Sequence, residues 1–187
     1  MPFEIIHFRN AEEILQGKGL SDHVRDTMEC IHEDLYERFY RGNMLRQTLD
    51  FMGWRDNGGV RLLPDRRYSY KGWRNRVAIE ANLQNYEWLL EGLFRLQIGF
   101  DKGDIDTGIL LLNGYRSKKS PLSENVIQVS REVEALYPTI SMPVTVVLFD
   151  LGTPKCIDPD NPTSPAVNGG SNQSNDNSKD KEDPVHE

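Results

Sequence analysis

The sequence has few cysteines and no long apolar run. Its 187 residues include only Cys30 and Cys156, whose separation gives neither a metal-ligand spacing nor a disulfide framework. No stretch approaches the roughly 18 uninterrupted apolar residues of a membrane-spanning helix. The opening segment MPFEIIHFRN carries charged residues where a secretory signal would be apolar. These absences predict a cytoplasmic protein without a membrane partner.

Both signs of charge occur along most of the chain, although the sum is acidic. The net charge of −7 argues weakly against indiscriminate binding of nucleic acid. The segment 55–76, however, carries seven cationic residues and two acids, a local charge of +5. The carboxy-terminal segment 154–187 has a local charge of −4. The acidic sum therefore conceals a basic segment in the middle of the chain.

Apolar periodicity predicts helices and strands in a definite order. An apolar stripe from Val24 to Phe39 predicts a helix that begins at Ser21 as its N-cap, and a second helix should end at Gly53. Strands are predicted in VAIEANL, IDTGILLL and PVTVVLFDLG. Helices are expected between them, the first over residues 85–100 with Phe94 packed inward, and the second in SENVIQVSREVEALY.

This order predicts an α/β protein with a mixed central β-sheet flanked by helices. Residues 1–153 should form the folded domain, because they contain all of the periodic segments. Residues 154–187 are rich in proline, glycine, serine, asparagine and charge, and lack the apolar residues that offset ordering entropy. We therefore expect them to form a disordered tail.

Glu80 stands inside the predicted strand 77–83, where an acid is unexpected. Alternation along a strand places Ala78, Glu80 and Asn82 on one face, and Val77 and Ile79 on the other. Because an unpaired buried carboxylate is costly, Glu80 should have a partner. Either Glu80 forms a salt bridge with one of the nearby arginines, or it serves as a metal ligand or general base at the open end of the sheet.

Asp65, fifteen positions earlier in LLPDRR, is a candidate second ligand for such a metal ion. A hairpin could bring its carboxylate beside that of Glu80. Mg²⁺ prefers oxygen ligands and is often held by one or two carboxylates together with substrate phosphate. Two acids next to a basic loop therefore favour metal-assisted hydrolysis of a phosphodiester bond.

The PD and ExN segments resemble the PD-(D/E)xK nuclease motif, and the chain is more specifically similar to the BglII/BstYI type of restriction endonuclease. The resemblance runs from about residue 3 to residue 153. It includes HFRNAEEIL and GWRDN, and it is most specific in RVAIEANLQNYEWLLEGLFRLQIGFDKGDIDTGILLL. It implies the restriction-endonuclease-like fold and a Mg²⁺-dependent, site-specific type II endonuclease that acts on double-stranded DNA as a homodimer.

Carried over by position, the resemblance gives Glu80 the role of the catalytic, metal-binding glutamate. Asn82 replaces the family's glutamine and would orient a water, and Asn57 corresponds to a catalytic asparagine. The family's aspartate lies nine residues before the glutamate, where this chain has Lys71. Either Asp65 supplies the second metal ligand from a longer hairpin, or the site has lost a carboxylate and is weakened or inactive.

Two basic loops are the predicted contacts to DNA. The first alternates cationic and aromatic residues and suits phosphate contacts, and the resemblance makes the second the recognition loop. The predicted DNA-binding residues are Arg66, Arg67, Lys71 and Arg74 in the first loop and Arg116, Lys118 and Lys119 in the second. Three hypotheses remain: an endonuclease, a DNA-binding protein of the same fold that no longer cuts, and a structural domain that does not bind DNA.

Overall fold

The computed structural model describes residues 2–55, 61–63, 68–84, 88–114 and 122–154. These residues belong to one compact unit, Met1–Lys155, whereas the second unit, Cys156–Glu187, lies outside the described residues. The predictions of a folded domain over 1–153 and of a disordered tail therefore stay predictions. None of the described helices is long and apolar enough to cross a membrane.

Five helices and five strands are present in the described part of the chain. The strands are β1 (Phe3–Phe8), β2 (Gly72–Arg74), β3 (Val77–Asn82), β4 (Thr107–Asn113) and β5 (Val144–Phe149). The helices are α1 (Ala11–Gly17), α2 (Ser21–Leu35), α3 (Arg41–Phe51), α4 (Leu89–Asp101) and α5 (Leu122–Ala135).

The sheet is mixed, with the strand order β1-β5-β4-β3-β2. The three central strands β3, β4 and β5 pair in parallel, and the edge strands β1 and β2 are antiparallel to β5 and β3. Helices cover both faces, which explains why β4 and β5 are continuous apolar runs rather than alternating ones. The prediction of an α/β fold with a mixed central sheet is confirmed.

The two faces of β3 belong to two separate cores. Ala78 lies in the cluster that includes α4 and α5, whereas Val77 and Ile79 lie in the cluster that includes α1, α2 and α3. The predicted alternation of side chains along β3 is therefore correct. It directs Glu80 towards the α4 side, because Glu80 is two residues from Ala78 along the strand.

Several local expectations were wrong or incomplete. Leu20, not Ser21, is the N-cap of α2, and α2 ends at Leu35, so that Phe39 is exposed. Phe94 is also exposed, because Leu89, Leu93 and Leu96 face the sheet instead. The strands β1 and β2 and the helix α1 were not predicted; β1 contains Glu4 and His7 and pairs with β5, which is distant in the sequence.

One ion cluster joins α1 to the start of β4. Asp106 accepts hydrogen bonds from Lys18 Nζ at 2.7 Å and from Arg76 Nη2 at 2.7 Å. These two hydrogen bonds lower the pKa of the Asp106 carboxyl to about 2, and the bond from Arg76 has the larger effect. The folded protein therefore binds a proton at Asp106 less readily than the unfolded chain does.

We predict that Asp106→Asn lowers the free energy of unfolding by about 1 kcal/mol at pH 7, a modest value because the carboxylate is 36% exposed and screened by solvent. The folded pKa is depressed, so the contribution is complete above the ordinary aspartate value. It is lost as the pH falls from about 4 towards about 2. Urea unfolding across this range measures it, with exposed Asp26→Asn as the control; equal losses in both variants would contradict the assignment.

Candidate functional site

The carboxylate of Glu80 is fully buried beneath α4 and is paired with Arg95. Oε1 of Glu80 accepts hydrogen bonds from Nε of Arg95 at 2.9 Å and forms an ion pair with Nη2 at 2.8 Å. Its other oxygen, Oε2, is buried and has no hydrogen-bond partner among the described residues. Of the two partners that the sequence left open for Glu80, the described residues provide an arginine.

Arg95 lies between Glu80 and the segment 68–70. Its Nη2 also donates to the backbone carbonyl of Ser69 at 3.2 Å, and its guanidinium carbon is 5.8 Å from the ring centroid of Tyr68. The helix brings it there because Leu93 and Leu96 anchor the adjacent positions of α4 on the sheet. Arg95 therefore covers the carboxylate from the side of this segment.

Burial dominates the acid–base properties of this buried pair. Desolvation raises the pKa of Glu80, and the positive charges of Arg95 and Lys71 partly offset that rise. Burial, followed by the negative charge of Glu80, raises the pKa of the Tyr70 hydroxyl, which is buried and has no hydrogen-bond partner in the described part of the chain. Tyr70 is therefore neutral at ordinary pH and offers no second anion to this site.

Lys71 runs alongside Glu80 on the neighbouring strand segment. Its backbone N–H donates to the carbonyl of Ile79 at 2.9 Å, immediately before β2 begins at Gly72. Counting the family's spacing back from Glu80 had placed Lys71 at the aspartate position. The fold thus puts a cation, not a carboxylate, in the backbone position beside Glu80.

The described residues do not fit a divalent metal ion. Mg²⁺ requires several oxygen ligands in near-octahedral geometry. Here the carboxylate of Glu80 is inaccessible and already engaged by a guanidinium, and no group of three or more His, Cys, Asp or Glu side chains within the described ranges could hold a metal ion. Asp65 and Asn57 lie outside the described residues, so their predicted roles stay predictions.

A cleft of about 450 Å³ opens at the carboxyl end of β3, between that strand end and α3. We call it the basic cleft, because four of the described side chains that line it are cationic and none of these described residues is acidic. Its lining consists of Arg41, Gly42, Leu45, Arg46, Leu49, Arg55, Ser69, Tyr70, Lys71, Ala81, Asn82, Leu83 and Gln84.

Two of the four cations in the basic cleft are held by hydrogen bonds. Arg41 donates to the carbonyls of Leu151 and Gly152 at 2.7 and 2.8 Å. Arg55 donates to Asp50 at 2.6 Å and to the carbonyl of Lys71 at 3.1 Å. The guanidinium groups of Arg41 and Arg55 are therefore fixed in position while they keep their charge.

The other two cations of the basic cleft, Arg46 and Lys71, are exposed. Within the described residues, Arg46 has a long contact of 3.9 Å with Asp50. Since Asp50 is the acid paired with both Arg46 and Arg55, the four cations of the lining exceed this acid by three charges. An anion of the size of a phosphate diester could approach this excess of positive charge.

Asn82, the last residue of β3, is half-buried and also lines the basic cleft. Its side-chain oxygen accepts a hydrogen bond from the backbone N–H of Gln84 at 3.0 Å. Glu80, two residues earlier, is absent from that lining because its side chain is buried under α4. The described structure therefore separates the two members of the predicted ExN pair.

Only some of the residues that the sequence predicts to contact DNA lie in the described part of the chain. Lys71 lines the basic cleft, whereas Arg74 is exposed near His23 and Gly53. The remaining ones lie outside the described residues: Arg66, Arg67, Arg116, Lys118 and Lys119.

Sequence reasoning missed the cleft residues Arg41 and Arg46, because α3 was interpreted only as scaffold. A signal was available in the spacing. Leu45 and Leu49 lie on the buried side of the helix, and Arg46 directly follows Leu45 and lies three positions before Leu49. A cation next to such an apolar stripe indicates a charged border of the buried face.

Known structures of one enzyme share this fold. The restriction endonuclease BglII in complex with a DNA 16-mer matches with a TM-score of 0.58 and 16% identity, over 80% of this chain and 76% of that chain. Free BglII matches with a TM-score of 0.50 and 16% identity, over 80% of each chain. No family model matches the sequence, and no curated protein matches it significantly. At this identity the likeness establishes the architecture: the chain has the restriction-endonuclease-like fold of BglII.

Proposed function

We propose that this protein binds double-stranded DNA and that the basic cleft contacts the phosphate backbone. The observation that carries the proposal is a cleft at the carboxyl end of a central strand whose described lining has four cationic and no acidic side chains. The fold adds support, since BglII was solved with this fold in complex with a DNA 16-mer. The acidic total charge of the chain is compatible with this proposal, because binding depends on the local charge of the contact surface.

The cations of the basic cleft suit a phosphate backbone for two reasons. The guanidinium groups of Arg41 and Arg55 are positioned before DNA arrives, so less side-chain entropy is lost on binding. The exposed side chains of Arg46 and Lys71 can reach out to phosphate oxygens. We extend the proposal to the sequence-predicted contacts in both basic loops, which would lengthen the contact along the duplex.

Binding without cleavage is the function that the described geometry supports best. A metal-dependent nuclease needs an accessible carboxylate with further oxygen ligands. The described part of the chain instead has Glu80 buried against Arg95, with Lys71 on the adjacent segment. Both neighbours are cations, which disfavour a metal ion at the same place.

A second candidate function is favoured by one observation. Within the described part of the chain, Oε2 of Glu80 is buried without a hydrogen-bond partner, which leaves one oxygen for a metal ion after rearrangement of the pair. In this alternative the chain is a Mg²⁺-dependent type II restriction endonuclease, with Glu80 and Asp65 as metal ligands and with Asn82 and Asn57 as further catalytic residues. Its activity would be hydrolysis of phosphodiester bonds in double-stranded DNA.

We also propose a homodimer, formed through α4. Leu90 and Phe94 lie one turn apart on this helix and are 59% and 58% exposed. Two large apolar side chains at this spacing make an outward stripe that a second copy could cover. Two-fold symmetry would also suit a palindromic site on duplex DNA.

We predict that Lys71→Ala and Arg46→Ala each weaken binding of a DNA duplex by about 5- to 10-fold at low salt, because each removes a charge-assisted phosphate contact. Each variant should also reduce the slope of log K against log salt by about 0.9. Fluorescence anisotropy over a salt series measures both. Arg131→Ala, an exposed arginine on α5, is the control; equal affinities in all three variants would reject the basic cleft as the contact surface.

Incubation with plasmid DNA and Mg²⁺ separates the two candidate functions. We expect a salt-sensitive mobility shift and intact DNA, since the described carboxylate is not accessible to metal or substrate. Discrete fragments from the wild-type protein that disappear in Glu80→Gln would establish the endonuclease instead. Absence of a shift at low salt would reject DNA binding in either form.

We predict that Phe94→Glu and Leu90→Glu each shift the dimer to monomer by at least about 10-fold in dissociation constant. Each places a charge in a surface that must lose its water when the two copies associate. Sedimentation velocity measures the change. Phe51→Glu, an exposed aromatic residue of α3 on the other side of the sheet, is the matched control. A wild-type monomer at high concentration would contradict the homodimer.

A further inference from the structure

We propose that the guanidinium of Arg95 is the permanent counter-ion of Glu80 in this chain, in place of a divalent metal ion, so that DNA binding proceeds without divalent metal. The inference deepens the proposed function, and its statement about DNA binding rests on that function. Its statement about Glu80 and Arg95 rests on their contacts alone.

The contacts of Arg95 are those of a built-in ion rather than of a passing surface charge. Two of its nitrogens reach the same oxygen of Glu80, at 2.9 and 2.8 Å, and Nη2 also donates to the carbonyl of Ser69. The side chain is only 17% exposed. A guanidinium with several partners in fixed geometry is a strong and directional counter-ion for a carboxylate.

A metal ion at Glu80 would have to share this space with a positive charge. The guanidinium already contacts one carboxylate oxygen, and the other oxygen is shielded from solvent. Two cations at one carboxylate repel each other strongly where the dielectric constant is low. A metal ion could therefore bind only after Arg95 had moved away. Ser69 and Tyr68 would then lose their contacts with the guanidinium.

The neighbouring strand segment supports the same conclusion. Lys71 passes beside Ile79 and Glu80 and contributes a second positive charge to the surroundings of the carboxylate. Its side chain lines the basic cleft, where it is available to phosphate. Arg95 thus neutralises the buried Glu80, and Lys71 faces the proposed DNA ligand. This arrangement can hold the anionic duplex without a metal ion.

The first experiment tests the metal directly, without DNA. Isothermal titration of the full-length protein with Mn²⁺ is compared with the same titration of Glu80→Gln. We expect the two titrations to coincide, with no Glu80-dependent binding at millimolar Mn²⁺. Binding by the wild-type protein that is lost in Glu80→Gln would overturn the inference.

The second experiment tests the pairing through the stability of four proteins: wild type, Glu80→Gln, Arg95→Met and the double variant. We expect each single variant to lose stability and the double variant to lose less than the sum. The expected coupling is at least about 10-fold in the unfolding equilibrium constant. It should be the same in EDTA and in Mn²⁺. Additive losses would show that the two side chains do not depend on each other and would reject the pairing. Should Arg95→Met fail to fold, Arg95→Lys replaces it, and the Mn²⁺ titration still tests the inference.

The third measurement concerns DNA. Wild-type protein should bind a duplex in EDTA at least as tightly as in Mg²⁺ at equal ionic strength, because Mg²⁺ only competes for phosphate. Loss of binding in EDTA that Mn²⁺ restores would overturn the inference. Absence of binding under all conditions would reject the proposed function, whereas the titration and the stability cycle would still decide the role of Arg95.

Discussion

The ion pair between Glu80 and Arg95 is the interaction on which the interpretation of this protein depends. A carboxylate in a central strand is tolerated only with a partner, because an isolated buried charge is costly. Here the partner comes from α4, so the pair also joins this helix to β3 and, through Ser69, to the segment before β2. Removing either side chain would leave its partner buried and uncompensated, which is more destabilising than never having had the pair.

The same pair divides the end of the sheet into two environments. On the α4 side, Glu80 is closed off by Arg95 and lies next to the apolar core between the sheet and α4. On the α3 side, the basic cleft is open and lined with four cations. In the described part of this chain, the fold that BglII also has thus keeps its buried acid paired internally and its exposed cations in a separate cleft. This separation is the physical reason for proposing DNA binding ahead of cleavage.

The central sheet provides the rigidity that both environments need. β3, β4 and β5 pair in parallel and are buried by helices on each face, so the backbone at Glu80 and Asn82 has little freedom to adjust. The cations of the basic cleft come from separate parts of the chain, Arg41 on α3 and Lys71 before β2. Hydrogen bonds hold two of them in place, Arg41 on the carbonyls of residues 151 and 152 and Arg55 on that of Lys71.

By itself the sequence determined the α/β class, the buried strands and the face of β3 on which Glu80 lies, since these follow from local periodicity of 2 or 3.6 residues. The resemblance carried by residues 76–112 also led to the correct fold. Only the tertiary structure decided that Arg95 is the partner of Glu80 and that Arg41 and Arg46 border a cleft. The strands β1 and β2 escaped prediction for the same reason. Each of these features depends on a contact between two separate elements, and the periodicity within one element does not identify its partner in another.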